Sequence, residues 1–194
     1  MKNIICNNCV GARLYEQNNV RFGNPFMWTA INSEDFVKLI NYWNKIDLTD
    51  ITLSLEQWKP KPYKNALVTL PFGIKVHFEH YLQDDSVKVP TKRPDSDNEI
   101  YCPDAIAYAK EKWFSRLERM TNKPTFLIVD NYITKLADLK KINCFDHRVL
   151  LFTGNKKADD ILGKKIKTIY RPFGTASTGK CAEYLLTNYA GLFK

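Results

Sequence analysis

The sequence predicts an α/β fold, a three-layer sandwich with a mostly parallel, Rossmann-like sheet and antiparallel additions. Three observations carry that prediction. The chain opens on Ile4-Ile5-Cys6, apolar and β-prone, breaks at Asn7-Asn8, and passes into a helical run with Val10 and Leu14 on one side. Asparagines tolerate the tight turn that joins strand to helix. The last third alternates near-continuous apolar runs, Thr125-Phe126-Leu127-Ile128-Val129 and Arg148-Val149-Leu150-Leu151-Phe152-Thr153, with helical stretches. Such strands, separated by helices, imply a parallel sheet covered on both faces. In the middle of the chain residues 74–81 alternate with period two and read as a strand of the added, antiparallel kind.

The remaining elements follow in order. Residues 20–28, Val20 to Trp28, read as a turn carrying exposed aromatics. Ser33 caps a helix, with Glu34 and Asp35 in the first turn where the dipole favours acids, and Phe36, Leu39, Ile40 and Trp43 form its buried stripe. Residues 51–55 and 66–70 are short strands. Residues 58–63 are loop, because Pro60 and Pro62 forbid regular structure. Residues 83–103 have little pattern and read as a loop insertion. A helix spans 104–120, with Ile106, Ala109, Trp113, Leu117 and Met120 at helical spacing. Residues 133–142 and 158–162 are helical, 165–170 a strand, and 181–193 a terminal helix.

The chain has 194 residues, enough for a single α/β domain over 1–194. No run is long and apolar enough to cross a bilayer, and the N-terminus lacks an apolar region of signal-peptide length, so the sequence places the protein in the cytoplasm. Five scattered cysteines do not suggest a disulfide framework. The net charge of +8 suits an anionic partner, and also simple solubility.

Parallel sheets bind ligands beyond the carboxyl ends of their strands, here Asn7-Asn8-Cys9, Asp130-Asn131 and Thr153-Gly154-Asn155. Cys9 falls at the start of the first helix, where free N–H groups and the dipole favour an anion and can activate a thiol. Four readings of Cys9 stay open: a nucleophile with a histidine as base, half of a Cys6/Cys9 redox pair, a zinc ligand with Cys6, His77 and His80, or an inert buried residue. Cys6 lies inside the strand, which weakens the redox reading. His77 and His80 stand three apart, which on a regular strand sends them to opposite faces and weakens the zinc reading. His80 is nearer the strand end, where sites are built, and His147 is structural or solvated. Arg116 and Arg119 could clamp a phosphate or carboxylate. Gly174 to Lys180 has the spacing of a phosphate loop, but Cys181 stands where that loop holds magnesium through Ser or Thr, and Pro172 interrupts the approach. Lysines 156, 157, 164, 165 and 167 cluster without a recognisable nucleic-acid module around them.

Four of these stretches, in order, resemble the motifs of a bacterial family of unknown function associated with capsular or exopolysaccharide biosynthesis. Asn7-Asn8-Cys9-Val10-Gly11 is similar to its Asn-Asn-Cys-x-Gly start, and Asn24-Pro25-Phe26 to its small-Pro-aromatic turn. His77-Phe78-Glu79-His80-Tyr81 resembles its His-Phe-x-His-Tyr strand, and Lys112-Trp113 with Arg116 its Lys-Trp-x-x-Arg helix, with Arg119 beyond. The resemblance spans roughly residues 3–170. Ala12 stands where the family tends to have a second glycine. A related group, with a similar Asn-Cys start and a Pro-Phe-x-Trp turn like Pro25-Phe26-Met27-Trp28, is proposed to be papain-like cysteine peptidases. That resemblance implies catalytic roles for Cys9 and a histidine. The papain-like fold is α+β, which the strand–helix alternation does not suit.

The expected function is surface-polysaccharide (exopolysaccharide or capsule) biosynthesis, through a cysteine-dependent transferase or hydrolase acting on an anionic glycan or nucleotide-sugar precursor. The alternative is a non-catalytic binding or scaffold protein of the same pathway. Cys9 would be the nucleophile and His80 or His77 the base. Asn7, Asn8, Arg116, Arg119, Asp130 and Asn131 would bind substrate. No cofactor and no metal is expected, the partner is the anionic small molecule or glycan rather than nucleic acid, and oligomeric state is not readable.

Overall fold

The computed structural model describes residues 3–57, 63–92, 99–121, 123–131, 133–143, 147–162, 166–174 and 177–193. Its centre is a four-stranded parallel sheet of β1 (Ile4–Cys6), β7 (Thr125–Val129), β8 (Arg148–Thr153) and β9 (Lys167–Tyr170), in the order β1-β7-β8-β9. The apolar runs are continuous because both faces are covered, and alternate residues go opposite ways. Ile4, Cys6, Leu127, Val129, Leu150, Phe152 and Ile169 pack in one cluster with α1 (Val10–Gln17) and α6 (Thr178–Tyr189). Ile5, Phe126, Ile128 and Leu151 pack in the other, with α2 (Ser33–Tyr42), α4 (Leu136–Leu139) and α5 (Ala158–Leu162). The layering is the one the sequence predicts.

The antiparallel strands gather into a second, five-stranded sheet. It comprises β2 (Thr52–Glu56), β3 (Asn65–Leu70), β4 (Ile74–Gln83), β5 (Thr91–Lys92) and β6 (Ile100–Cys102), in the order β2-β3-β4-β6-β5. Its pairings are antiparallel except β4 with β6. The helix α3 (Ala105–Leu117) covers this sheet through Trp113, whose ring meets Phe26 and Phe78 and whose indole N–H donates to the Leu48 carbonyl at 2.9 Å.

The two sheets are stitched together by the segment after the aromatic turn. Ala30 and His77 exchange backbone hydrogen bonds of 2.8 and 3.0 Å, and the next residue, Ile31, donates to the Asn7 carbonyl at 2.9 Å. One short segment thus touches the end of β1 and the middle of β4, and brings their far ends to one place.

Several local expectations change. The aromatics Phe26 and Trp28 of the turn at 20–28 are buried in the two core clusters rather than exposed. Residues 83–103 are not structureless, since β5 and β6 lie there, β6 pairing with β4 and β5 with β6. Asn32, not Ser33, caps α2, its Oδ1 accepting from the Asp35 N–H at 2.9 Å. The Ser33 hydroxyl is engaged elsewhere, donating to Asp138 at 2.7 Å. Only Leu136–Leu139 of the stretch 133–142 is helical, because Thr134 bonds back to the Val129 carbonyl and to Asn131 and holds a turn. The terminal helix, expected over 181–193, spans Thr178–Tyr189 and is capped by Ser177. The proline loop at 58–62, Lys164 and Lys165, and part of the 174–180 stretch fall outside the described residues. Among the described residues no helix is long and apolar enough to cross a membrane.

Candidate functional site

The site begins where β1 ends. The Asn7 side chain extends the β1–β7 ladder, accepting from the Val129 N–H at 2.8 Å and donating to the Val129 carbonyl at 3.2 Å. Asn8 folds the turn, its Oδ1 accepting from the Val10 N–H at 3.0 Å. Both asparagines are buried and shape the backbone rather than line a cleft. They set Cys9 at the start of α1, where the helix favours an anion. Gly11 lets that helix lie against the strand, for a Cβ there would sit 2.7 Å from the Cys6 Cβ.

The partner arrives from β4 through an irregularity. Leu67 pairs with His77 but Asn65 pairs with Leu82, so Ala66 alone faces Phe78, Glu79, His80 and Tyr81. This bulge breaks the up-down alternation of the strand. Phe78 and Tyr81, three apart, both enter the core and stack at 5.0 Å. The Asn65 amide donates to the carbonyls of Phe78 (3.1 Å) and Glu79 (2.9 Å), pinning the bulge. Consecutive residues Glu79 and His80 are thereby both aimed at Cys9. The Cys9 Sγ lies 3.1 Å from His80 Nε2 and 3.3 Å from Glu79 Oε2. These three atoms are also the ones that could hold a metal ion. The indole of Trp28 stands edge-on to the His80 ring at 4.8 Å, and the Arg13 guanidinium lies over that indole. Trp28 has φ 62°, an uncommon backbone for a bulky residue and one that recurs near functional sites.

Cys9 is 4% exposed, so its thiol sits behind His80 rather than on open surface. His80 borders a cleft of about 310 Å³ with aromatic walls from Phe22, Trp28, Tyr81 and Tyr108. Lys92, Lys112 and Arg116 bring positive charge to it; the one carboxylate among its described lining residues, Glu16, pairs with Arg13 at 2.9 Å. Arg116 is buried, donating to the Met27 carbonyl (2.9 Å) and to the Tyr81 hydroxyl (2.7 Å). A larger hollow of about 490 Å³ near Trp43 and Met120 has Asp47 as the one titratable group among its described wall residues, and so less chemistry. Another, of about 700 Å³, opens at the carboxyl ends of β8 and β9 beside Lys156 and Arg171, away from the Cys9–His80 pair.

The other expected site residues are spread apart. His77 is 3% exposed, and burial pushes its imidazole down to about 4, so it is a neutral packed residue at neutral pH. Arg119 does not line the cleft; it donates to the Phe22 carbonyl at 2.9 Å and to Ser115. Asp130 accepts from Thr153, and Asn131 from Ile133 and Thr134, closing the turn after β7. Cys6 is fully buried, and burial pushes its thiol up to about 12, which leaves it unsuited to redox exchange. Glu79 is the residue the sequence reading passed over, because strict alternation points it away from its neighbour.

Residues 2–93 are similar to a domain of unknown function, DUF1919. Its span holds Cys9, Trp28, Glu79 and His80, the whole cluster around the thiol. Arg116, Arg119, Asp130 and Asn131 lie beyond the DUF1919 match, which is shorter than the span over which the sequence motifs run. No curated protein matches the chain.

Proposed function

We propose that the protein is a cysteine-dependent hydrolase or group transferase that acts on an anionic, ring-containing substrate such as a glycan precursor. The observation that carries this reading is the 3.1 Å contact between Cys9 Sγ and His80 Nε2 at a helix N-terminus. His80 takes the thiol proton, and the thiolate attacks the electrophilic carbon of the substrate. The leaving group departs with the proton from His80. Water, or an acceptor, then cleaves the covalent intermediate with His80 as base again. Aromatic walls suit the faces of a sugar ring, and Lys92, Lys112 and Arg116 suit its negative group. The placement in surface-polysaccharide synthesis rests on the motif resemblance alone. Burial of Cys9 favours a second reading, a non-catalytic protein that binds the same ligand in the cleft.

Alkylation separates the two. Iodoacetamide is added to the metal-free protein at neutral pH and the modified cysteine is read by peptide mass spectrometry. Cys9 is expected to react faster than free cysteine, and His80→Gln to slow it by about tenfold or more. A Cys9 that alkylates no faster than free cysteine removes the nucleophile and leaves the binding protein.

A further inference from the structure

We infer that Cys9, Glu79 and His80 form a site for one divalent, thiophilic metal ion of the zinc class. The sulfur, one carboxylate oxygen and one ring nitrogen lie within 4.8 Å of one another. A thiol has a single proton and can donate it along one of its two contacts at a time, whereas a cation between the three atoms would engage every one of them. Thiolate and imidazole select zinc-class ions, while magnesium and calcium take oxygen ligands. Thiolate and carboxylate together carry two negative charges, which balance a divalent ion. Three protein ligands leave a fourth position open, as in zinc sites that hold water or substrate. The ligands stand on fixed supports, the start of α1 for Cys9 and the Asn65-pinned bulge for the other two.

Binding breaks the Sγ–H bond, forms a metal–sulfur bond and releases the proton to solvent, with no change of oxidation state. The ion occupies the lone pair that the proposed nucleophile uses. Metal-loaded and reactive states therefore exclude each other, and the metal silences the thiol.

Cobalt(II), titrated into the full-length, metal-free protein under reducing conditions, is the probe, with zinc(II) as competitor. One equivalent is expected to bind with a thiolate-to-cobalt charge-transfer band that zinc abolishes. Cys9→Ser is expected to remove the band, and Glu79→Gln or His80→Gln to weaken binding about tenfold or more, with circular dichroism reporting that each variant is folded. No band, or a band that survives in folded Cys9→Ser, overturns the inference. Zinc that protects Cys9 from iodoacetamide supports it. Unchanged alkylation at saturating zinc overturns it and leaves the nucleophile standing. Cobalt binding together with a metal-free Cys9 no faster than free cysteine supports the metal site and removes the nucleophile.

Discussion

Gly11 and Asn65 touch neither a substrate nor the thiol, yet each fixes where Cys9 or His80 can be. A glycine inside a helix normally costs about 1 kcal/mol relative to alanine, so Gly11→Ala would be expected to stabilise. Here the added methyl would stand 2.7 Å from the Cys6 Cβ, an atom held by the strand itself. Overpacking of this kind costs about 1–3 kcal/mol, and Gly11→Ala is expected to lower the urea midpoint instead of raising it. The helix-start position of Cys9 was legible in the sequence, whereas the close approach of Cys6 that demands a glycine at 11 was not. The sequence favoured His80 over His77 only by its place nearer the strand end, because nothing in a string of letters reports which ring is sealed under a neighbouring strand.

At the scale of elements, the bulge in β4 decides what can meet Cys9. Replacing Asn65 by Ala leaves the carbonyls of Phe78 and Glu79 without its amide donors, at a cost of about 1–3 kcal/mol for buried acceptors. Asn65→Ala is expected to lower thermal stability and also to slow Cys9 alkylation, as a purely structural residue elsewhere would not. The helices and parallel strands were legible because their apolar periodicity is local. The bulge was not. It arises from a register shift between Asn65 and Leu67 of β3, which no period within β4 announces. For the same reason Glu79 drew no notice beside His80, and β5 and β6 were missed because each is only two or three residues long and carries no readable period.

For the molecule as a whole, burial of weak acids sets an alkaline limit. Burial pushes Cys6 from 9.0 to about 12, Cys102 from 9.0 to about 11 and Tyr81 from 10.0 to about 12. Above the unfolded values the unfolded chain gives up protons that the native protein keeps. Stability from these groups is therefore full below about pH 9 and falls as pH rises towards 12. Each unit of separation is worth about 1.4 kcal/mol for a buried group. Urea midpoints are expected to drop steadily from about pH 9 upward, and Cys6→Ala to flatten that slope. A flat profile across this range would mean that these side chains are solvated in the folded protein.

The joint between the sheets has a consequence for altering this chain. Ala30 meets β4 and Ile31 meets the end of β1, so the run from Asn24 to Ile31 acts as a ruler between sulfur and imidazole. Adding or deleting one residue there would misalign the pair although every strand survived. The exposed connection at 85–90 carries no such measurement and is the place to lengthen or tag the protein.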